Sequence, residues 1–311
     1  MALPPGDPLW YYKVLGLHCD GANNSTTFTD VKGNTVTANG NAQISTAQYP
    51  ALTGKTSSAY FDGAWDYLVF TADSGLNLGT GDFTIRAKVR PSALAEQYFI
   101  CKVASWATDV DFVLRISPTG YFSFLAGDSV PLSVTSNAVA TVNVWADLEV
   151  TRSSGVTRMF VDGVLQTSTH TGSVSIPNDA TSTYIGAFNG SSEFYSGYIS
   201  EVEIYKGIAL HTASFTPSSD PFQDEYVSVS GTTKDSSGAL ASRLVRVYRR
   251  DTGALVSSVL SNGVTGAYKV IAPDSGTPTP VNLTVVCLDA TADPPGSPTE
   301  NALIYDNLTP I

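Results

Sequence analysis

Along most of the chain, apolar and polar residues alternate with a period of two. The segment "DFTIRAKVRP" (82–91) shows this most clearly. Phe83, Ile85, Ala87 and Val89 fall on one face, and Thr84, Arg86, Lys88 and Arg90 on the other. Successive side chains of a β-strand point to opposite faces, so the pattern predicts a strand with one face on a core. Pro91 has no N–H to give a ladder and predicts the strand's end. "VLGLHCD" (14–20) predicts a first strand, and "DFVLRIS" (111–117) and "YFSFLAG" (121–127) predict a hairpin around Pro118-Thr119-Gly120. In "TRMFVDGVLQTS" (157–168), Asp162-Gly163 predicts a two-residue turn with positive φ. Asn189-Gly190 marks another turn, ahead of the alternating "GYISEVEIYKG" (197–207). In "YFDGAWDYLVF" (60–70), Phe61, Tyr67 and Phe70 are the expected buried positions, Asp62-Gly63 a bend, and Trp65 a tip. No long run of strong helix formers interrupts the series. Strands this numerous and evenly spaced predict an all-β sandwich.

The pattern breaks at "TPSSDPFQDEY" (216–226), where Pro217 and Pro221 are set among serines and acids. A domain boundary is expected there, dividing the chain into 1–222 and 223–311. The second part is again a string of short strands, with turns expected at Asp251-Thr252-Gly253 and between Gly263 and Gly266. Within it, Arg243, Arg246, Arg249 and Arg250 form the one basic concentration, interrupted by Val245, Val247 and Tyr248 as on a strand edge.

Composition narrows the partners. The 311 residues are 42% apolar and only 14% charged, with a net charge of −11. Residues 223–311 hold 6 basic and 9 acidic groups against 11 and 19 in the remainder, so neither part is a basic arm. Such a chain repels phosphate backbones, and no nucleic-acid partner is expected. Cys19, Cys101 and Cys287 form no C-x-x-C, so buried reduced thiols are expected rather than a disulfide framework or zinc site. "MALPPGDPLWYYK" lacks the basic segment and apolar core of a secretory signal. No run approaches the ~20 apolar residues of a membrane helix, so no membrane insertion is expected.

Several segments occur in an order that resembles a known family: "DPLWYYKVLGLHCDGANNSTTFTDVKG", "FDGAWDYLVF", "GTGDFTIRAKVRP", "VTRSSGVTRMFVDGVL" and "YIGAFNGSSEFYSGYISEVEIYKGIALHTASFTP". Over residues 7–222 they resemble the laminin-G-like, concanavalin-A-like jelly rolls of tailed-bacteriophage virion proteins. "VSGTTKDSSGALASRLVRVYRRDTGALV" and "TGAYKV" resemble the carboxypeptidase-regulatory-like module, a small immunoglobulin/transthyretin-like β-sandwich. The resemblance implies a non-catalytic structural or display protein located in a virion and made in the host cytoplasm. Its implied partners are other virion proteins, repeated or symmetric copies of itself, and a host cell-surface glycan. The strand that reads "WHHVAVTR" in this family is "WADLEVTR" (145–152) here, so both histidines of that pattern are missing.

Other chemistries compete with this reading. Glu201 and Glu203 share a strand face about 6.6 Å apart, which suits a glycosidase pair. The third acid of a laminarinase-like motif is missing, because Tyr205 and Lys206 follow, and a solvated sheet face is expected. Serine-nucleophile chemistry lacks a G-x-S-x-G, and His18, His170 and His211 stand apart in sequence. Some laminin-G relatives bind calcium. Asp20, Asp30, Asp109, Asp111 and Asn189 could supply oxygens for it, although no D-x-[DN]-x-[DN]-G loop occurs. For glycans, Trp65, Trp106 and Tyr195 are the candidate stacking residues in expected loops.

Overall fold

The period-two segments fold as strands. In the computed structural model of the protein, the described residues are 12–71, 76–105, 109–128, 131–177 and 182–222, followed by 227–233, 239, 242–249, 255–272, 283–289 and 303–308. None of these is α-helical. The chain divides into two compact units, Tyr12–Phe222 and one that holds Gln223–Ile311.

The first unit begins with β1 (Lys13–Leu17), β2 (Val36–Asn39), β3 (Gln43–Ser45), β4 (Ser58–Asp62) and β5 (Tyr67–Thr71). Next come β6 (Phe83–Pro91), β7 (Gln97–Ser105), β8 (Asp109–Ile116), β9 (Tyr121–Ala126) and β10 (Leu132–Val139). It closes with β11 (Ala146–Ser153), β12 (Val156–Val161), β13 (Val164–Thr171), β14 (Ser182–Ile185) and β15 (Ser196–Lys206). One antiparallel sheet runs β13-β12-β11-β6-β15-β4-β3, with β1 also paired to β15, and the facing sheet runs β10-β9-β8-β7-β14-β5-β2. This is the two-layer jelly roll of the concanavalin A-like fold, in accord with the all-β expectation.

The core lies between the two sheets. Phe83, Ile85, Ala87 and Val89 of β6 are all fully buried, as their alternation predicts. Phe83 meets Phe124 across the layers at 5.8 Å between ring centroids, and within the second sheet Phe99 meets Phe122 at 5.9 Å. Each such side chain contributes about 1.5–3 kcal/mol by leaving water. Arg152 of β11 is also fully buried. It donates from Nε to Gly81 O (2.7 Å), from Nη1 to Val174 O (2.6 Å) and from Nη2 to Gly79 O (2.6 Å). One guanidinium therefore ties two loops to the sheet, and at Gly79 it adds a second donor to a carbonyl that already accepts from Ile176 N (2.9 Å).

The outer face of the β6 sheet is covered as well, by the segment that follows β15. Thr84 donates to Ile208 O (3.0 Å) and accepts from Leu210 N (2.9 Å), and Thr151 donates to His211 O (2.8 Å). Phe215 packs on Phe160 at 5.5 Å, and its N–H donates to Gly163 O (2.9 Å). The Arg86 guanidinium lies 3.6 Å from the Phe222 ring centroid. Thr84 and Lys88 are accordingly buried, although they were expected on the polar face.

The second unit contains β16 (Val227–Thr232), β17 (Arg243–Arg249), β18 (Leu255–Leu260), β19 (Ala267–Ala272), β20 (Leu283–Asp289) and β21 (Leu303–Leu308). β16 pairs with β19, and a four-stranded sheet runs β18-β17-β20-β21. The arginine-rich strand β17 is thus interior to its sheet, flanked on both sides, rather than an edge. The expected Gly263–Gly266 turn joins β18 to β19, with the Asn262 carboxamide accepting from Val264 N (2.8 Å) and Thr265 N (3.0 Å). The turn expected at Asp251-Thr252-Gly253 lies outside the described residues.

Candidate functional site

Two places gather chemistry-bearing side chains by the logic of the fold. The first is the corner where the chain leaves β4 in one sheet for β5 in the other. Gly63 and Trp65 both take left-handed backbone angles there, φ 89° and 65°. That conformation costs a non-glycine residue about 1–2 kcal/mol. The buried Asp66 carboxylate holds the corner by accepting from Asp62 N (2.9 Å) and Asn41 N (2.7 Å). Burial pushes the Asp66 carboxyl above its ordinary range, against the opposing pull of these two N–H groups. Trp65 ends 65% exposed, with its ring 5.0 Å from that of Phe194.

The second place is the charged layer on the outer face of β15. Ile199, Val202 and Ile204 point into the core, a spacing that contains one extra residue. The register with β6 shifts between Ser200 and Glu203, and Glu201 adopts φ 52°. This is a β-bulge, and it puts Ser200, Glu201 and Glu203 together on the outer side. The acids are not solvated as expected, because both are buried. Glu201 accepts from Lys55 Nζ (2.5 Å) and from the backbone N–H of Phe222 (2.7 Å), and its Oε2 lies 2.9 Å from His18 Nδ1. Glu203 pairs with Lys13 Nζ and Arg86 Nη2, each at 2.6 Å, and accepts from the Tyr205 hydroxyl (2.8 Å). Burial raises the Glu203 carboxyl, but the Arg86 guanidinium and Lys13 ammonium outweigh it and hold the group below its usual range. Lys55 is displaced upward. Its burial opposes the charge, and Glu201, followed by Asp20, more than compensates.

Within this layer, ligand atoms of His18, Asp20 and Glu201 lie within 4.8 Å of one another. A cation already stands among them. Lys55 Nζ is 2.5 Å from Glu201 and 2.8 Å from Asp20, and it donates to the carbonyl of His18. The ammonium uses the oxygens that a divalent ion would need.

The other sequence candidates separate. Tyr195, expected at a sugar-binding rim, is fully buried between Phe61 (5.9 Å) and Phe99 (5.1 Å), and its hydroxyl donates to Tyr198 O (3.1 Å). Its ring is part of the core and cannot stack on a sugar. Trp106 lies outside the described residues, as does the side chain of Asp109. Asp30 is buried and accepts from Gly16 N (2.6 Å) and Asn34 N (2.9 Å). Asp111 is buried in an ion pair with Lys102. Asn189 takes φ 48° in the turn before Gly190, and its N–H serves the Cys101 sulfur. Asp20, Asp30 and Asp111 each already have a partner and belong to different networks, so these donors do not fit a calcium ion. Two of the three histidines that stand apart in sequence are engaged in space, His18 with Glu201 and His211 with Glu149 (2.8 Å). Lys55 was missed altogether. It reaches Glu201 across 146 residues, and no local spacing signals that contact.

Residues 62–213 match the family model of the concanavalin A-like lectin/glucanases superfamily. The matched stretch includes Trp65, Asp66, Arg86, Glu201 and Glu203, whereas Lys13, His18, Asp20, Lys55 and Phe222 of the charged layer lie outside it. No curated protein matches the chain. Among solved structures, the binding domain of Paraclostridial mosquitocidal protein 1 is similar over 96% of this chain and 76% of that one, with TM-score 0.51 and 11% identity. The binding domain of botulinum neurotoxin serotype D covers 96% and 80%, with TM-score 0.48 and 12% identity. Domain 4 of AbnA, an extracellular GH43 arabinanase of Geobacillus stearothermophilus solved with arabinotriose, covers 66% and 94%, with TM-score 0.46 and 16% identity. The likeness to the mosquitocidal protein domain shows the shared fold and nothing finer.

Proposed function

We propose that the protein is a non-catalytic docking and display component of a tailed-phage virion, present in repeated copies and acting through preformed surfaces. The observation that carries the non-catalytic reading is the state of Glu201 and Glu203. A glycosidase needs two accessible carboxyls, one of them kept protonated by a raised pKa. Here both acids are buried and paired with cations, and Glu203 is shifted in the opposite direction. The virion placement is supported by the family resemblance of residues 7–222, and repeated copies by the usual symmetry of assemblies. No cofactor enters the proposal. The test is to sediment particles and look for this chain in fixed stoichiometry, while assaying reducing-end release from the host's polysaccharides. Stoichiometric co-sedimentation without sugar release is the expected result. Sugar release abolished by Glu201→Gln would refute the non-catalytic reading.

A second reading, recognition of a host cell-surface glycan, is favoured by Trp65. A large aromatic ring is held in solvent by a left-handed residue that the Asp66 network keeps in place. Strain of that kind is retained where a geometry is used. Binding to a bacterial glycan array, lost in Trp65→Ala with the fold intact, would establish this reading.

A further inference from the structure

We propose a second recognition site: a groove on the open side of the jelly roll, between edge strands β10 and β13, that takes an uncharged oligosaccharide. The groove has a volume of about 370 Å³ and is lined by parts of β10, the 140–146 connection and the β12–β13 hairpin, with Trp145 on its wall. That volume lies in the range of small-ligand sites, roughly 300–1,000 Å³.

The chemistry of the lining selects the ligand. Trp145 is half-buried and offers an apolar ring with an indole N–H. Among the described residues, neither that N–H nor the Asn137 Nδ2 amide has a partner. Thr141 adds an exposed hydroxyl, and Val139, Val144 and Val164 are exposed apolar neighbours. Among the described residues the lining contains no cation, and its one acid, Asp162, spends Oδ1 on the N–H of Asp147 (2.8 Å). Phosphate, sulfate and acidic sugars would meet a carboxylate with no compensating charge. A pyranose has what the groove lacks, namely C–H faces for the indole and hydroxyls for the unpaired donors.

The wall is also preformed. Asn143 takes φ 63°, its N–H donates to Pro91 O (2.7 Å), and its side-chain oxygen accepts from Arg90 Nη1 (3.1 Å). On the far side, Asn137 N donates to Gln166 Oε1 (2.7 Å), and Thr167 N donates to Asn137 Oδ1 (2.9 Å). A site already held in shape loses little entropy on binding.

This inference rests on reading the protein as a recognition module, but not on Trp65, and the experiment separates the two. The full chain and its Trp65→Ala, Trp145→Ala and Ala138→Arg variants are applied to an array of neutral and acidic bacterial surface polysaccharides. In parallel, indole N–H resonances are followed by NMR during titration with neutral trisaccharides of glucose, mannose, N-acetylglucosamine and arabinose. Ala138 is exposed, so the arginine fills the groove even where loss of Trp145 disturbs the fold. The expected result is binding of a neutral glycan with a saturable shift of the Trp145 resonance. Affinity should fall at least tenfold in Trp145→Ala and Ala138→Arg and persist in Trp65→Ala. Binding lost only in Trp65→Ala would refute the groove and leave the recognition reading standing. Preference for acidic glycans, or no binding and no Trp145 shift, would also overturn it. Loss of particle association in Ala138→Arg without any glycan binding would mark the groove as a protein-docking edge and refute the saccharide assignment.

Discussion

Replacing Lys55 by Met tests whether the charged layer under residues 207–222 holds the first unit together. The Lys55 and Glu201 side chains both have 0% exposure and meet at 2.5 Å. Methionine fills similar space but leaves the Glu201 carboxylate buried with only His18 and the Phe222 N–H for company. Breaking one side of a buried ion pair costs about 3–5 kcal/mol, because the remaining charge has lost its compensation. Asp20 adds little to this, since its side chain is 56% exposed and sits where solvent screens it. In a domain of about 150–250 residues, each kcal/mol moves the melting midpoint by roughly 2–4 °C, so a fall of about 6–20 °C is expected. Calorimetry and urea unfolding should agree on the size of the loss. A double-mutant cycle with Glu201→Gln should show the single losses exceeding the double loss by roughly 0.5–3 kcal/mol. If Lys55→Met costs less than about 1 kcal/mol, or if the cycle is additive, the pair is ornamental and the argument from its burial fails.

Other outcomes follow from the same structure. Glu203 has a folded pKa below its ordinary value, so its contribution is fully present above about pH 4.5 and is lost as pH falls through the lower folded value. Acid titration of the unfolding midpoint should therefore show a positive slope in that window, and Glu203→Gln should lower stability at neutral pH while flattening the slope. Arg152→Met removes the donor to three carbonyls. At about 1.5–3 kcal/mol per charged hydrogen bond, and allowing for non-additivity, a loss of at least about 3 kcal/mol is expected in urea unfolding. Burial pushes the Cys19 and Cys101 thiols up to about 12. Peptide mapping after alkylation of the native protein at pH 8 should therefore find both unlabelled, and both labelled once urea unfolds it.

How far the sequence spoke for the structure depends on the distance over which each signal acts. The alternation of β6 and the Asp162-Gly163 turn are local matters of pleat and backbone angle, and the structure repeats them, with Asp162 at φ 50° and Gly163 at φ 74°. Alternation misled at β15, because a single left-handed glutamate inserts one residue into the ladder and nothing in "ISEVE" announces it. The polar side of β6 carried no sign of its burial, because its cover arrives from residues 207–222, far along the chain. Tyr195 read as a loop aromatic because it follows a Gly-Ser-Ser turn. Its burial depends on Phe61 and Phe99, which are brought together only by the closing of the two sheets. The Lys55 ammonium among three ligand-like groups was likewise invisible, since Lys55, the His18–Asp20 segment and Glu201 lie far apart along the chain.

The crossed bonds of Asn137 with Gln166 and Thr167 have one more consequence. They stitch the border of one layer to that of the other and occupy backbone N–H groups that would otherwise stand open to a stranger's strand. At this border those two N–H groups are closed to an incoming strand, so the seam resists being lengthened into a shared ladder there.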